Sequence, residues 1–372
     1  CSLSRRAGTS RLRRSFSFTP FIYRYMIPHY RPTFGQEEIT AVTSVIRSGQ
    51  LAQNGQVNLL EQILTENLDR KYACAVSSGT MALILSLKAS GIGPGDEVII
   101  PSYTCAALWQ AVTTVGATAI YADIEDETYN LAPPSVKLKM TPRTKAIIFP
   151  HMFGQPGHIQ EVIEYGIPVI EDIAQAYGAT IDEQPAGHFG DIGVLSFYAT
   201  KIIGAGEGGA ILTDSPAILE KVRDLREYDE KDDLKPRFNA KMTDLGAAIA
   251  IEQIKKYQSY FTKRTAIIQQ YQKVDGIEFV IPLKNSRLKS NNYRCIAAHP
   301  HKSAAECIAL AAKLGACFRK PVYKPLHSYA QTESLPETEK AWKKQFSIPV
   351  FPTISGTDRD RVTEILTHIA EL

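Results

Sequence analysis

Cysteine is sparse in this chain: six in 372 residues, at Cys1, Cys74, Cys105, Cys295, Cys307 and Cys317. They form no C-x-x-C pair and no metal-like grouping with histidine. Neither a disulfide framework nor a metal site is therefore expected, and a reducing cytoplasm is the simpler compartment. Long apolar runs are missing too. No stretch of about 18 uninterrupted hydrophobic residues occurs, which argues against a membrane-spanning helix. Internal repeats and low-complexity tracts are absent. Hydrophobic residues at 44% and charged residues at 22% are ordinary globular values, and they argue against disorder, a collagen-like repeat or a coiled coil. At about 150 residues per domain the length suggests two or three domains. Folding of a chain this long buries about three quarters of its surface, ample for a core.

Acidic residues are lacking in one place. Residues 1–25 hold Arg5, Arg6, Arg11, Arg13, Arg14 and Arg24 but no lysine, aspartate or glutamate. Setting those six against the overall +3 leaves the rest of the chain at −3. A mildly acidic body is a poor match to nucleic acid, where affinity rests on neutralising phosphates. The Arg- and Ser-rich start reads either as a transit-like peptide or as an extension upstream of a native start at Met26. Its lack of an amphipathic period favours the extension.

From Met26 onward the chain reads as ordered. Helices are expected over Gln36 to Val45 and around Leu59 to Leu68, with a Gly-rich turn between them. Short apolar runs then recur at Glu97 to Ile100, Ala119 to Tyr121, Ala146 to Phe149, Val169-Ile170, Val194 to Phe197 and Ala210 to Leu212. Several are β-branched on both faces, as in strands covered by helices on each side. Most of the intervals are long enough for crossover helices, so the class is α/β with a mainly parallel sheet. Beyond residue 216 a charge run, Glu227 to Arg237, reads as an exposed loop, and a long helix is expected after Thr243-Asp244. Ile254, Tyr257, Phe261, Ile268 and Tyr271 would form its apolar seam. The remainder reads as a smaller α+β domain. The expected division is 1–25 as leader, 26–250 as a large α/β domain, and 251–372 as linking helix and small domain.

Four features fall at strand ends or helix starts, where open α/β sheets place their sites. Ser77-Ser78-Gly79-Thr80 precedes an apolar helix, Met81 to Lys88, and reads equally as an anion cradle or an ordinary N-cap. Glu171-Asp172, with Gln175 three residues on, follows a strand; a helix cap is the plainer reading of Asp172 alone. Lys201 follows a buried-looking strand that contains Ser196 and precedes a Gly-rich loop. A lysine so placed is partly desolvated, which favours the neutral amine of Schiff-base chemistry, although exposed loop lysines are far commoner. Gly204-Ala205-Gly206-Glu207-Gly208-Gly209 matches the dinucleotide fingerprint G-x-G-x-x-G. It leads into a strand rather than opening a helix, so a nicotinamide reading fails on context.

Together the first three are more specific than any one. An anion cradle, a carboxylate, an amide and a lysine, in that order, supply what pyridoxal phosphate needs for its phosphate, ring nitrogen and aldehyde. The chain resembles the DegT/DnrJ/StrS-type sugar aminotransferases, pyridoxal-phosphate enzymes of fold type I. The resemblance runs from Met26 to the C-terminus. It is carried by Arg47-Ser48-Gly49, Ser78-Gly79-Thr80, Gly93 to Val98, Thr141 to Ile147, Glu171-Asp172 with Gln175, Ser196-Phe197 with Lys201, Gly206 to Gly209, Tyr323 with Pro325-Leu326-His327, and Pro349 to Pro352.

The resemblance implies a mainly parallel central sheet with helices on both faces and a smaller C-terminal α+β domain. It implies that Lys201 holds the cofactor and moves the proton, that Asp172 pairs with the ring nitrogen, and that Gln175 bonds the ring hydroxyl. Gly79, Thr80 and Ser196 would bind the phosphate, and Lys241 would reach it from a second subunit of a homodimer. Tyr323 and His327 would approach a nucleotide-linked sugar, with L-glutamate as donor. Cys105 stands where relatives stack an aromatic on the ring, so its sulfur, or Tyr103 or Trp109, would serve. Ile202 and Ala240 also depart from the family pattern. Lys201 argues against the dehydratases of this fold, which carry histidine there. Its retention with Asp172, Gln175 and Ser196 argues against a non-catalytic binding module. An aminocyclitol aminotransferase is the alternative enzyme.

Overall fold

The computed structural model describes residues 26–285, 287–330 and 333–372. The basic leader and Cys1 lie outside these. Helices α1 (Gln36–Ser48) and α2 (Gly55–Leu68) come first. Seven strands then build the main sheet: β1 (Tyr72–Val76), β2 (Glu97–Pro101), β3 (Thr118–Ala122), β4 (Thr144–Pro150), β5 (Val169–Asp172), β8 (Ile192–Ser196) and β9 (Gly209–Thr213). Between them lie α3 (Gly79–Ala89), α4 (Ala107–Thr114), α5 (Pro133–Lys139) and α6 (Ile159–Ile163), with short strands β6 (Thr180–Ile181) and β7 (Gln184–Pro185). Helices α7 (Pro216–Leu225) and α8 (Asp244–Tyr271) follow, then β10 (Glu278–Ile281), β11 (Leu288–Lys289) and β12 (Cys295–Ala298). The chain closes with α9 (Ala304–Leu314), α10 (His327–Ala330), α11 (Pro336–Lys344), β13 (Gln345–Ile348) and α12 (Gly356–Glu371).

The main sheet runs β1-β9-β8-β5-β4-β2-β3. All neighbours from β8 to β3 are parallel, and β9 alone enters antiparallel, between β1 and β8. Side chains alternate across it, as the pleat requires. On β1, Cys74 and Val76 join Leu85, Val112 and Val222 on the face covered by α3, α4 and α7. Ala73 and Ala75 turn to Leu60, Leu64 and Ile251 of α2 and α8 on the other. A second sheet, β10-β12-β13, packs Cys295, Phe346 and Ile348 against α9, α12 and the end of α8. The 28-residue α8 therefore buries Ala247 and Ile251 on the large sheet and Ile268 and Tyr271 on the small one.

All six apolar runs are strands. The expected helices are present but longer: the first reaches Ser48, where Gly49 turns left-handed, and the second begins at Gly55. Its early start has a cause far away in sequence. The Asp244 carboxylate accepts from the amides of Asn54 (2.7 Å), Gln56 (3.1 Å) and Val57 (3.1 Å), supplying the acceptors that a helix N-terminus lacks. Strand β1 went unread because its Ala73-Cys74-Ala75 core has little strand propensity. Among the described residues no helix is long and apolar enough to cross a membrane.

Candidate functional site

The C-terminal ends of β1, β5 and β8 open into one cleft of about 320 Å³. Ser78, Gly79, Thr80, Cys105, Asp172, Ser196, Tyr198, Lys201 and Glu207 line it. Sheet order explains the gathering: β1 and β8 flank β9, and β5 lies beside β8.

One wall is the start of α3. Ser78 caps it, its Oγ accepting from the Met81 amide at 3.1 Å, so the N-cap reading and the cradle reading hold together. The first-turn amides that follow face outward at the positive end of the helix. Gly79 is required by contact. A Cβ there would lie 2.7 Å from the Ser196 Cβ, and one on Gly209 would lie 2.6 Å from the Ser78 carbonyl. The backbone therefore closes to the distance at which an anion can be held by amides and the Ser196 hydroxyl.

The opposite wall is the end of β5. Asp172 is 7% exposed, and Oδ1 accepts from the Ala174 amide at 2.9 Å. Burial pushes its carboxyl up, against the opposing pull of that amide and of Lys201 and His151. A buried carboxylate in this condition gains from a cationic partner. Behind it, Glu171 points to the other side of the strand and accepts from the amides of Gly187 (2.6 Å), Phe189 (2.9 Å) and Gly190 (2.8 Å) and from His151 Nε2 (2.9 Å). His151 Nδ1 accepts from the Gly157 amide, so Nε2 carries the proton toward Glu171. Despite burial, His151 and the amides hold the Glu171 carboxyl below its ordinary range. Glu171 is structural; Asp172 faces the cleft.

Lys201 sits on the loop between β8 and β9. The loop is closed by Phe197 to Gly208, Ala199 to Gly206 and Ala205 to Phe197 backbone bonds. Gly206 and Gly208 take positive φ, 86° and 145°, and Gly209 begins β9, so the G-x-G-x-x-G match is a hairpin turn into a strand. Tyr30, from the N-terminal segment, donates its hydroxyl to the Ala199 carbonyl at 3.0 Å and fixes the same loop. Lys201 Nζ lies 5.9 Å from the centre of the Tyr293 ring.

The other expected site residues are dispersed. Gln175 is half-buried, and its Oε1 accepts from the Phe153 amide at 2.9 Å. Cys105 is exposed on the cleft, its thiol raised by surrounding protein with Lys201 pulling against. Tyr103, named as a replacement for it, is fully buried and bonds Gln345 at 2.9 Å, so it does not face the cleft. Trp109 is 38% exposed and outside the lining. Lys241 pairs with Glu227 at 3.2 Å, and its backbone bridges Val76 at the foot of the cradle. His327 is buried, with Nδ1 2.6 Å from Ser102 Oγ, whereas Tyr323 is 87% exposed. The sequence reading gave no role to Tyr30, Tyr198 or Tyr293. Only the Tyr293-Arg294 pair, standing directly before an apolar run, offered a signal.

The donor set fits a phosphate ester carried on a cationic aromatic ring: amides and a hydroxyl at one end, a desolvated acid in the middle, an amine between. Comparison with known proteins agrees. The model of the DegT/DnrJ/EryC1/StrS aminotransferase family matches residues 32–367. The spore coat polysaccharide biosynthesis protein SpsC of Bacillus subtilis is 29% identical, over 93% of this chain and 98% of its own. Among solved structures, Spr1654 of Streptococcus pneumoniae, described as a sugar aminotransferase and solved in apo, PMP and PLP forms, superposes with a TM-score of 0.87. In the apo form it is 25% identical, over 93% of this chain and 98% of its own. DesV of S. venezuelae gives 0.84 at 28% identity, over 91% and 95%.

Proposed function

Since the chain belongs to the DegT/DnrJ/EryC1/StrS aminotransferase family, we propose that it is a pyridoxal-phosphate-dependent sugar aminotransferase acting on the keto group of a nucleotide-linked sugar, with L-glutamate as amino donor. The observation that carries the reading is the convergence of Ser78 to Thr80, Asp172, Ser196 and Lys201 on one cleft. The names of SpsC and Spr1654 support a sugar as acceptor and polysaccharide synthesis as its use.

When bound, pyridoxal phosphate supplies a carbonyl carbon that accepts an amine and a ring that takes up an electron pair. The chain supplies the rest. The amides at the start of α3 and the Ser196 hydroxyl hold the phosphate. The Asp172 carboxylate, raised by burial, regains its charge against a protonated ring nitrogen and keeps that nitrogen cationic. The Lys201 amine would anchor the cofactor, and its Nζ, once released, would stand in the cleft as the base and acid that holds the moving proton. Gln175 would offer its amide to the ring hydroxyl, and Cys105, on the cleft wall, would stand against the ring. Lys241 completes the phosphate site of a second subunit in a homodimer. Tyr323 and His327 belong to the acceptor side.

Borohydride reduction of the holoprotein, followed by peptide mapping, is expected to label Lys201. A label elsewhere, or none, overturns the assignment. A panel of keto-sugar nucleotides and keto-inositols, each with L-glutamate and L-glutamine, tests the substrate. Turnover confined to keto-inositols would establish the aminocyclitol reading instead.

A further inference from the structure

Positive side chains gather around Tyr293, the ring that Lys201 meets. The Arg294 amide donates to the Phe153 carbonyl at 3.2 Å, and the Phe153 amide donates in turn to Gln175 Oε1. The Arg294 backbone is thus linked through Phe153 to Gln175, and Arg294 lies outside the residues that line the cleft. Its guanidinium lies 5.0 Å from the centre of the Tyr293 ring, the same ring that Lys201 Nζ meets at 5.9 Å. The two cations are separated by no more than those distances laid end to end. Arg264, 3% exposed, donates from Nη1 to the carbonyls of Tyr293 (3.1 Å) and Val350 (2.7 Å), and its buried Nε has no partner. His29, 7% exposed, accepts from Arg294 at Nε2, and its buried Nδ1 has no partner. Among the described residues, Arg264, Arg294 and Arg319 form no ion pair with any carboxylate.

Two side chains register this field. Burial above all, with Arg294 and Arg319, brings His29 down to about 3. Burial pushes the Tyr293 phenol up, yet Arg294, Lys201 and a hydrogen bond with Thr200 outweigh it and bring it to about 8. A half-buried guanidinium with no carboxylate partner, sharing a ring with Lys201, favours an anion that arrives with the substrate. The planar guanidinium fork matches a carboxylate in two parallel hydrogen bonds.

We infer that Arg294 binds a carboxylate of the amino donor and selects an acidic α-amino acid for the first half of the reaction. The inference rests on Lys201 being the reacting amine, as set out above. Tyr293 and Arg264 position this arginine; they are not catalytic.

The test uses glutarate, a dicarboxylate with no amine to transfer, titrated calorimetrically into the holoprotein. Arg294→Gln is expected to weaken glutarate by about tenfold or more, with partial recovery in Arg294→Lys, which keeps charge but loses the fork. The KM for L-glutamate should rise in parallel, while the affinity for uridine or thymidine diphosphate stays unchanged. Glutarate affinity within about twofold of wild type in both variants overturns the inference, as does a wild-type holoprotein that binds none. Loss of diphosphate affinity with glutarate unaffected assigns Arg294 to the acceptor and overturns it equally. Should Arg294→Gln fail to fold, Arg294→Lys carries the test. Borohydride labelling of the same proteins separates the two readings. A missing Lys201 label defeats the proposed function, whereas a label with unaltered glutarate binding defeats this inference alone.

Discussion

Asp172 and Glu171 are adjacent residues with opposite fates, set by the side of β5 each one faces. Glu171 meets four donors and is held below the ordinary glutamate range; Asp172 meets one amide and is pushed up by burial. A depressed carboxyl contributes stability that is present above its unfolded pKa and lost as pH falls through its folded pKa. Glu171→Gln should therefore cost about 2–3 kcal/mol in urea unfolding at neutral pH, with the gap closing on acidification. The sign reverses for Asp172. A raised carboxyl stabilises only at low pH, and that contribution disappears as pH rises through its folded pKa. Cofactor-free Asp172→Asn should unfold at or above the wild-type urea midpoint at pH 7, the difference fading toward acid. Its aminotransferase turnover should nevertheless fall by about 10²–10³-fold in a steady-state assay, because the ring loses its counter-charge.

At the scale of elements, the cradle depends on how closely α3 approaches β8. With the Ser196 Cβ only 2.7 Å from a Cβ built on Gly79, Gly79→Ala must push the helix start away. Such overpacking costs about 1–3 kcal/mol. Cofactor affinity should drop by about tenfold or more in an equilibrium titration, while circular dichroism still reports a folded chain. How far such elements can be read from sequence depends on where their causes lie. Strands β2, β4 and β9 announce themselves through β-branched runs, and Ser78 through the helix it caps. Strand β1 does not, since alanines become a strand only by pairing with β9. The early start of α2 is equally silent, because its acceptor is Asp244 on another helix. The lysine, the acid and the cradle were legible because each stands at a strand end. The Tyr30 brace on the Lys201 loop and the Arg294–Tyr293 stack were not, being contacts between distant segments.

At the scale of the whole molecule, the open question is how many chains make one site. Lys241 lies against Glu227 within its own chain, and the proposed homodimer gives it a second task across the interface. Phe34, Ile39 and Ile46 on or near α1 leave apolar surface exposed, at 50%, 59% and 58%. Sedimentation should show a dimer. Lys201→Ala and Lys241→Ala should each be nearly inactive alone. Mixed and re-equilibrated, they should recover about one quarter of wild-type turnover, because each hybrid holds one site with both lysines. Mixtures that remain inactive, or a fully active Lys241→Ala protein, would refute a shared site.

Strand β9 has a consequence for the order in which the protein comes into being. It is the wedge that joins β1 to β8, and with them Ser78 to Ser196. A nascent polypeptide still attached to the ribosome before Gly209 has emerged owns both walls of the cradle but lacks the strand that pairs with each of them. Cofactor capture thus becomes a late checkpoint in biosynthesis, open to chains that have already threaded the reversed strand of the main sheet.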